Sequence, residues 1–209
     1  GETIDVKGEG GGATINVASG STKVSTEGDT RATYTTSSGS SVRLAANTSI
    51  KASGGTTTLQ SGSVRVETSG TFALNTQDGT VQVSAGSADI SSDATAGTVS
   101  VKSGDSGTTS VTTFNGSTLN LASGSKVVVQ EYGEATLVSG SVNVTPQGGF
   151  TLNTVDGSVQ MSGPTSVSSG SGGVNIVTSA NSPAIVTTSV GAKISVGGTT
   201  TLALNGGNQ

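Results

Sequence analysis

FALNTQDGTVQV, residues 72–83, and FTLNTVDGSVQM, residues 150–161, are two versions of one segment, placed 78 positions apart. In both, apolar and polar residues alternate on either side of an Asp-Gly pair. Alternation with a period of two places every second side chain on one face of a β-strand. An Asp-Gly pair favours a tight reversal, because glycine adopts positive φ without steric cost. Each segment therefore predicts a hairpin of two strands.

The repetition extends upstream of the hairpin. LQSGSVRV, residues 59–66, matches LVSGSVNV, residues 137–144, at the same offset of 78. GSSVRLA, residues 39–45, matches GSTLNLA, residues 116–122, at an offset of 77. Repeats that cannot close a core alone stack on their neighbours. The sequence therefore predicts two full copies of one structural unit.

A third copy is incomplete. IVTTSVGAKISV, residues 185–196, matches SVTTFNGSTLNL, residues 110–121, and the chain then runs through TTTLALNGG without a further SGSVxV segment. The repeats predict four parts: N-terminal strands in 1–29, a first repeat in 30–107, a second repeat in 108–171 and a partial third repeat in 172–209.

The composition favours a thin core. Apolar residues make up 31% of the chain and aromatic residues 2%, with 33 glycines. Large apolar and aromatic side chains, which a wide two-layer core needs, are therefore scarce. A disordered Ser/Gly/Thr-rich chain is the alternative, but disorder gives no reason for sustained alternation. We therefore expect an all-β protein, a β-solenoid or β-helix-like stack of short strands built from internal repeats.

The repeated motifs assign structural roles to a few residues. Asp-Gly pairs predict hairpin turns, Ser-Gly-Ser triplets predict corners between strands, and the two phenylalanines are the largest side chains available for the core of each copy. The predicted turn residues are Gly62, Asp78, Gly79, Gly140, Asp156 and Gly157. The predicted core residues are Phe72 and Phe150.

The motif spacings resemble those of the FecR-type domain, over residues 33–86 and 110–163. In the first copy the matching positions are Gly39-Ser40 with Val42 and Leu44, then Leu59 to Val66, Phe72 to Thr76, and Val81 with Val83. The resemblance implies an all-β, partly solenoidal domain of the kind found in periplasmic regulators of iron uptake and in cell-surface proteins. It implies the fold and not the signalling role, since the anti-sigma segment and membrane helix of those regulators have no counterpart in this sequence.

Several functional classes lack the residues they need. Without His or Cys there is no His-based triad, thiol nucleophile or ordinary zinc site, and the 13 carboxylates are scattered. We therefore predict no enzyme, no cofactor and no metal. A net charge of −4 without any run of Lys or Arg argues against nucleic-acid binding. No apolar stretch is long enough to span a membrane. Absence of Cys and abundance of Ser and Thr favour an extracellular or cell-surface location.

The two ends suggest self-association. Both carry strand patterns without a capping element, and exposed strand edges template pairing with another chain. We therefore predict a structural subunit of an extracellular fibre or surface assembly, a homopolymer that grows head-to-tail by β-strand addition. The predicted contact residues are Ile4, Val6, Ile15 and Val17 at one end, and Ile194, Val196, Leu202 and Leu204 at the other.

Two alternatives remain. One is a FecR-like periplasmic or surface module that recognises a protein or a glycan. The other, a minor alternative, is an ice-binding solenoid, since Thr56-Thr57-Thr58 and Thr199-Thr200-Thr201 could form threonine ladders. The outward positions of the alternating segments, however, carry mixed polar residues such as Arg43 and Arg65, which does not suit a flat ice-binding face.

Overall fold

The computed structural model describes residues 3–7, 13–18, 21–36, 38–130 and 133–205, and only the backbone of the first two ranges. All regular secondary structure in these residues is β-strand, so the all-β prediction is confirmed. The first two strands are β1 (Thr3–Lys7) and β2 (Ala13–Ala18). The next six are β3 (Ser21–Thr26), β4 (Arg31–Thr35), β5 (Ser41–Leu44), β6 (Ser49–Ser53), β7 (Thr56–Thr76) and β8 (Gly79–Asp93).

Twelve strands follow in the described residues. Eight of them are β9 (Thr98–Ser103), β10 (Thr108–Thr113), β11 (Thr118–Leu121), β12 (Lys126–Gln130), β13 (Glu134–Thr145), β14 (Phe150–Thr154), β15 (Gly157–Met161) and β16 (Thr165–Gly170). The last four are β17 (Gly173–Thr178), β18 (Ala184–Thr188), β19 (Lys193–Val196) and β20 (Thr201–Leu204).

Strand pairing repeats along the chain. The sets β3–β6, β9–β12 and β17–β20 pair in the same way: β3 with β6, β9 with β12, and β17 with β20. Equivalent positions lie 77 residues apart between the first two sets and 75 apart between the last two, as Val24↔Ile50, Val101↔Val127 and Ile176↔Leu202 show. This equivalence includes β3 and β9, which precede the predicted boundaries at residues 30 and 108.

Two long strands bend and change their pairing partners along their length. β7 pairs with β6 through residues 56–61 and then with β5 and β8 through residues 62–68. β13 behaves likewise, pairing first with β12 and then with β11 and β16. Each bend lies at the predicted Ser-Gly-Ser corner, which is a bend inside one strand and not a loop between two.

Glycine is required at both bends. Gly62 has a φ of 85° and Gly140 a φ of 86°, a conformation that L side chains rarely adopt. A Cβ at Gly62 would overlap Thr48 Oγ1, and one at Gly140 would overlap Ser125 Oγ. The bend and the close approach of the neighbouring loop thus both exclude a larger residue.

Six strands close into a barrel at the centre of the chain. The ring runs β8–β9–β12–β13–β11–β10 and returns to β8. It closes because β8 and β13 are each long enough to pair at both of their ends. The sequence predicted a stack of coils and did not predict this closure. The remaining strands lie outside the ring, with β7 along β8 and with β14 and β16 along β13.

The core consists mostly of small aliphatic side chains, as the composition predicts. Alternate residues of the strands are buried, among them Val81, Val101 and Val127. Phe72 and Phe150 are buried too, opposite Val83 and Met161 on the neighbouring strands. Tyr34 on β4 is a further large core residue, 1% exposed, that the repeat pattern did not single out.

Buried hydroxyl groups connect each long loop to the core. Thr26, Ser103 and Thr178 occupy the last position of β3, β9 and β17. Their side-chain oxygens accept hydrogen bonds from the backbone N–H groups of Thr48, Ser125 and Thr200, at 3.0, 3.0 and 3.3 Å. A buried polar group needs such a partner, so the same hydroxyl recurs in all three copies.

Candidate functional site

The predicted hairpin residues lie at the two equivalent turns. Gln77 and Asp78 form the turn between β7 and β8, and Gly79 is already the first residue of β8, paired with Thr76. Gly79 and Gly157 have φ values of 146° and 140°. A Cβ at these positions would overlap the carbonyl oxygens of Thr112 and Thr187 on the adjacent strands. Their role is therefore structural.

The predicted contact residues near the C-terminus lie on open strands. In the described part of the chain, β19 pairs only with β18, and β20 pairs only with β17. Ile194, Leu202 and Leu204 are only partly buried against the core, whereas Val196 is 5% exposed. No other strand of the described residues pairs with the remaining edges of β19 and β20.

The predicted contact residues near the N-terminus are Ile4, Val6, Ile15 and Val17, and their side chains lie outside the described residues. Their backbone places β1 beside β4 and β2 beside β3. β1 pairs with β4 in the register in which β8 pairs with β10: Ile4↔Tyr34 corresponds to Val81↔Val111. β1 and β2 thus take the position of the two halves of β8.

A second feature is a row of charged side chains that begins on strands of the first repeat and ends on β12 of the second. Arg43, Arg65, Asp89, Lys102 and Lys126 are successive cross-strand neighbours on β5, β7, β8, β9 and β12. We call these five residues the charged row. Neighbouring strands lie about 4.8 Å apart, so the row runs straight across the sheet.

Small side chains lie beside the charged row. Ala45, Ser63, Ser91 and Ser100 form a parallel row, with Ser91 opposite both Ser63 and Ser100. We call these four residues the serine row. The two rows and Arg31 line a groove of about 630 Å³, which we call the basic groove. The long side chains of the charged row form one wall of the groove, and the short side chains of the serine row form its floor.

Ion pairs hold the middle of the charged row. Arg65 donates hydrogen bonds to both carboxylate oxygens of Asp89, at 3.0 and 3.1 Å, and to Glu67 at 3.0 Å. Arg43 donates to the other oxygen of Glu67 at 2.9 Å. The hydrogen bond to Glu67 first, and then that to Asp89, raise the pKa of Arg65 above its usual value. Arg65 therefore stays charged at every practical pH.

The ends of the basic groove carry cations without a carboxylate partner. Among the described side chains, no ion pair forms to Arg31, Lys102 or Lys126. Five of the nine basic residues of the chain line this one groove. The groove is therefore positive on a protein whose net charge is −4.

The equivalent row one repeat further along the chain lacks these charges. The row equivalent to the charged row consists of Asn120, Asn143, Ser166, Val177 and Thr201, which are cross-strand neighbours in the same order. We call it the uncharged row. Sequence reasoning missed the basic groove because its cations are far apart along the chain. The exchange of Arg43 for Asn120 and Arg65 for Asn143 between aligned copies was the available signal.

No protein-family model, curated protein or solved structure matches the chain. The resemblance to the FecR-type domain therefore stays a prediction. The described residues include no helix that is long and apolar enough to cross a membrane. Nor do they bring together three acidic side chains that could hold a metal ion.

Proposed function

We propose that the protein is a structural subunit that assembles end to end by β-strand addition, stacking its repeats along one axis in the manner of a solenoid. The observation that carries this proposal is the open edge of β19 and β20. Ile194, Leu202 and Leu204 are partly exposed there, while the equivalent Leu119, Val127 and Val129 are sealed beneath β13. A strand from a second copy would bury this apolar edge and satisfy its backbone groups.

The strand directions define how two copies would join. β11 and β16 are both antiparallel to β13, so they run parallel to each other. β13 lies between them, and β19 has no equivalent of β13 beside it in the described residues. Since β19 corresponds to β11 and β2 to β16, direct pairing of β2 of the next copy with β19 would be parallel. Direct pairing of β1 of the next copy with β20 would also be parallel, because β12 and β15, which are separated by β13 and β14, run parallel to each other. The contact is heterologous and therefore continues from copy to copy.

Assembly can be tested on the full chain by sedimentation velocity at increasing concentration and by negative-stain microscopy. We expect filaments whose axial repeat is close to the length of one subunit. Deletion of residues 1–8, which removes β1, should abolish them, and so should Leu202→Lys, which places a charge on the open edge. Ile185→Lys on the outer face of β18 is the control, because Ile185 is 42% exposed and its strand is paired on both sides.

Different outcomes of these experiments would contradict different parts of the proposal. A monodisperse monomer at all concentrations would contradict end-to-end assembly. Filaments that persist in both variants would contradict the contact between β1/β2 and β19/β20. Circular dichroism must show the same β spectrum in each variant, so that loss of assembly is not loss of fold.

A second candidate function is a FecR-like periplasmic or surface module that recognises a protein or a glycan. The basic groove favours it, since ligands bind in concave sites that hold a few polar or charged groups in fixed positions. Its volume of about 630 Å³ falls within the roughly 300–1,000 Å³ of small-ligand sites.

A further inference from the structure

We propose that the basic groove binds a segment of a linear acidic polysaccharide whose repeating units carry carboxylates. This inference rests on the second candidate function, recognition at a surface, and does not depend on end-to-end assembly. It assigns the unpaired cations Arg31, Lys102 and Lys126 to the ligand. The ion-paired centre, Arg43 and Arg65 with Glu67 and Asp89, gives the groove its fixed shape.

The fold does not require these charges. The uncharged row occupies the equivalent positions one repeat further along the chain, with the same strand pairing and a core that is equally buried at Val142 and Val144. Exposed ion pairs contribute only about 0–1 kcal/mol each to stability. Concentrating five of nine cations in one groove is therefore not explained by stability, and a ligand explains it.

The geometry selects an extended anionic chain. Arg31 on β4 and Lys102 on β9 are separated by four strand spacings, or about 19 Å, and Lys126 lies one spacing further. One spacing is comparable to the advance of one sugar residue along an extended polysaccharide. A segment of four or five acidic sugars would thus reach from the cation at one end of the groove to those at the other.

The chemistry of the floor fits sugars better than bases. Ser63, Ser91 and Ser100 offer hydroxyl groups along the length of the groove, which can pair with sugar hydroxyls. None of the described residues that line the groove is aromatic. Single-stranded nucleic acids are held largely by stacking on aromatic side chains, so this groove lacks their usual platform.

The test is calorimetric titration of the full chain with a galacturonic acid hexasaccharide and, in parallel, with its methyl ester. We expect binding of the acid, weaker binding as NaCl is raised, and no binding of the ester. The variant Arg31→Gln/Lys102→Gln/Lys126→Gln should lose affinity about tenfold or more, since each unpaired cation contributes a fraction of a kcal/mol to a little over one.

The matched control is Lys23→Gln/Lys51→Gln/Lys193→Gln, which removes the same number of charges from exposed positions outside the groove. It should change affinity less than about twofold. Equal effects of the two triple variants would overturn the site, because non-specific attraction would then explain binding. Equal binding of the ester would overturn carboxylate recognition, and tighter binding of a single-stranded oligonucleotide would overturn the choice of ligand. Absence of any binding overturns the inference while leaving filament assembly untouched.

Discussion

The closed barrel and the open strands at the C-terminal side are built from equivalent segments, yet one is sealed and the other is not. Leu119, Val127 and Val129 in the barrel are at most 1% exposed. Ile194, Leu202 and Leu204, at the equivalent positions of β19 and β20, are partly exposed. The strands themselves have similar alternating patterns. The difference is the bent strand β13, which pairs with both β11 and β12 and has no counterpart beside β19 and β20 in the described residues.

The largest expected loss of stability comes from truncating a core side chain, and it should differ between the closed barrel and the open strands. Leu119→Ala should lower the free energy of unfolding by about 2–5 kcal/mol, because it leaves a cavity in a closed core. Ile194→Ala, at the equivalent open position, should cost clearly less in the monomer. Urea unfolding under conditions that keep both variants monomeric measures the difference. Equal costs would show that β19 is as well packed as β11.

The second-largest loss of stability is expected at the bend in β13, where a substitution tests whether the bend is needed to close the barrel. Gly140→Ala combines an unfavourable φ with overlap on Ser125 Oγ, and should lower the free energy of unfolding by about 2–4 kcal/mol. The control is Gly124→Ala, where φ is 70° but no atom lies within 4 Å of the new Cβ. Its cost should be restricted to backbone strain, about 1 kcal/mol. If the two variants unfold at the same urea concentration, close packing at the bend plays no part.

A smaller loss of stability is expected when one of the buried hydroxyl groups is removed. Thr26→Val leaves the N–H of the buried Thr48 without its partner and should cost about 1–3 kcal/mol. Thr178→Val makes the same isosteric change at the open end, where Thr200 is only half-buried. Water can reach that N–H, so the cost there should be smaller. Thermal unfolding of the pair provides the measurement, and a larger loss for Thr178→Val would contradict this account of the open end.

The smallest effect is predicted for the charged row. Arg65→Gln should change stability by no more than about 1 kcal/mol, since the Arg65 side chain is 44% exposed. Its pKa is raised in the folded state, so its stabilising contribution is complete below the unfolded pKa and is lost only as pH rises through the folded value. Stability curves from pH 5 to 9 should therefore be parallel for the two proteins. Asn143→Gln in the uncharged row is the matched control.

Much of the fold could be predicted from local pattern. The alternation around Val81 and Val159 and the turn residues Asp78 and Asp156 depend on neighbours within a few positions, and such signals are readable in one sequence. Closure of the barrel was not predictable in this way. It requires β8 and β13 each to pair at one end with the adjacent strand, β9 or β12, and at the other end with a strand about 20–35 residues away, β10 or β11. Alternation with a period of two does not identify these distant partners.

The two candidate sites also differ in how far the sequence predicted them. The incomplete third copy predicts a subunit contact at Ile194, Val196, Leu202 and Leu204 on β19 and β20, and this contact stays a prediction. The basic groove was not predicted, because Arg31, Lys102 and Lys126 come together only through the register of strands that are distant in sequence. A basic surface is usually recognised from a run of Lys or Arg in the sequence. No such run forms when each strand contributes a single cation.

The pairing pattern has a consequence for how the chain acquires its structure. Among the described residues, the widest strand pairing, between Gly79 and Thr113, spans 34 positions, and the others are shorter. Loop closure over such distances is entropically modest, and short-range pairing favours rapid formation. Each new strand can therefore dock on completed ones soon after it leaves a ribosome or an export channel. The molecule can therefore fold from its first strands onward, before its last residue has been added.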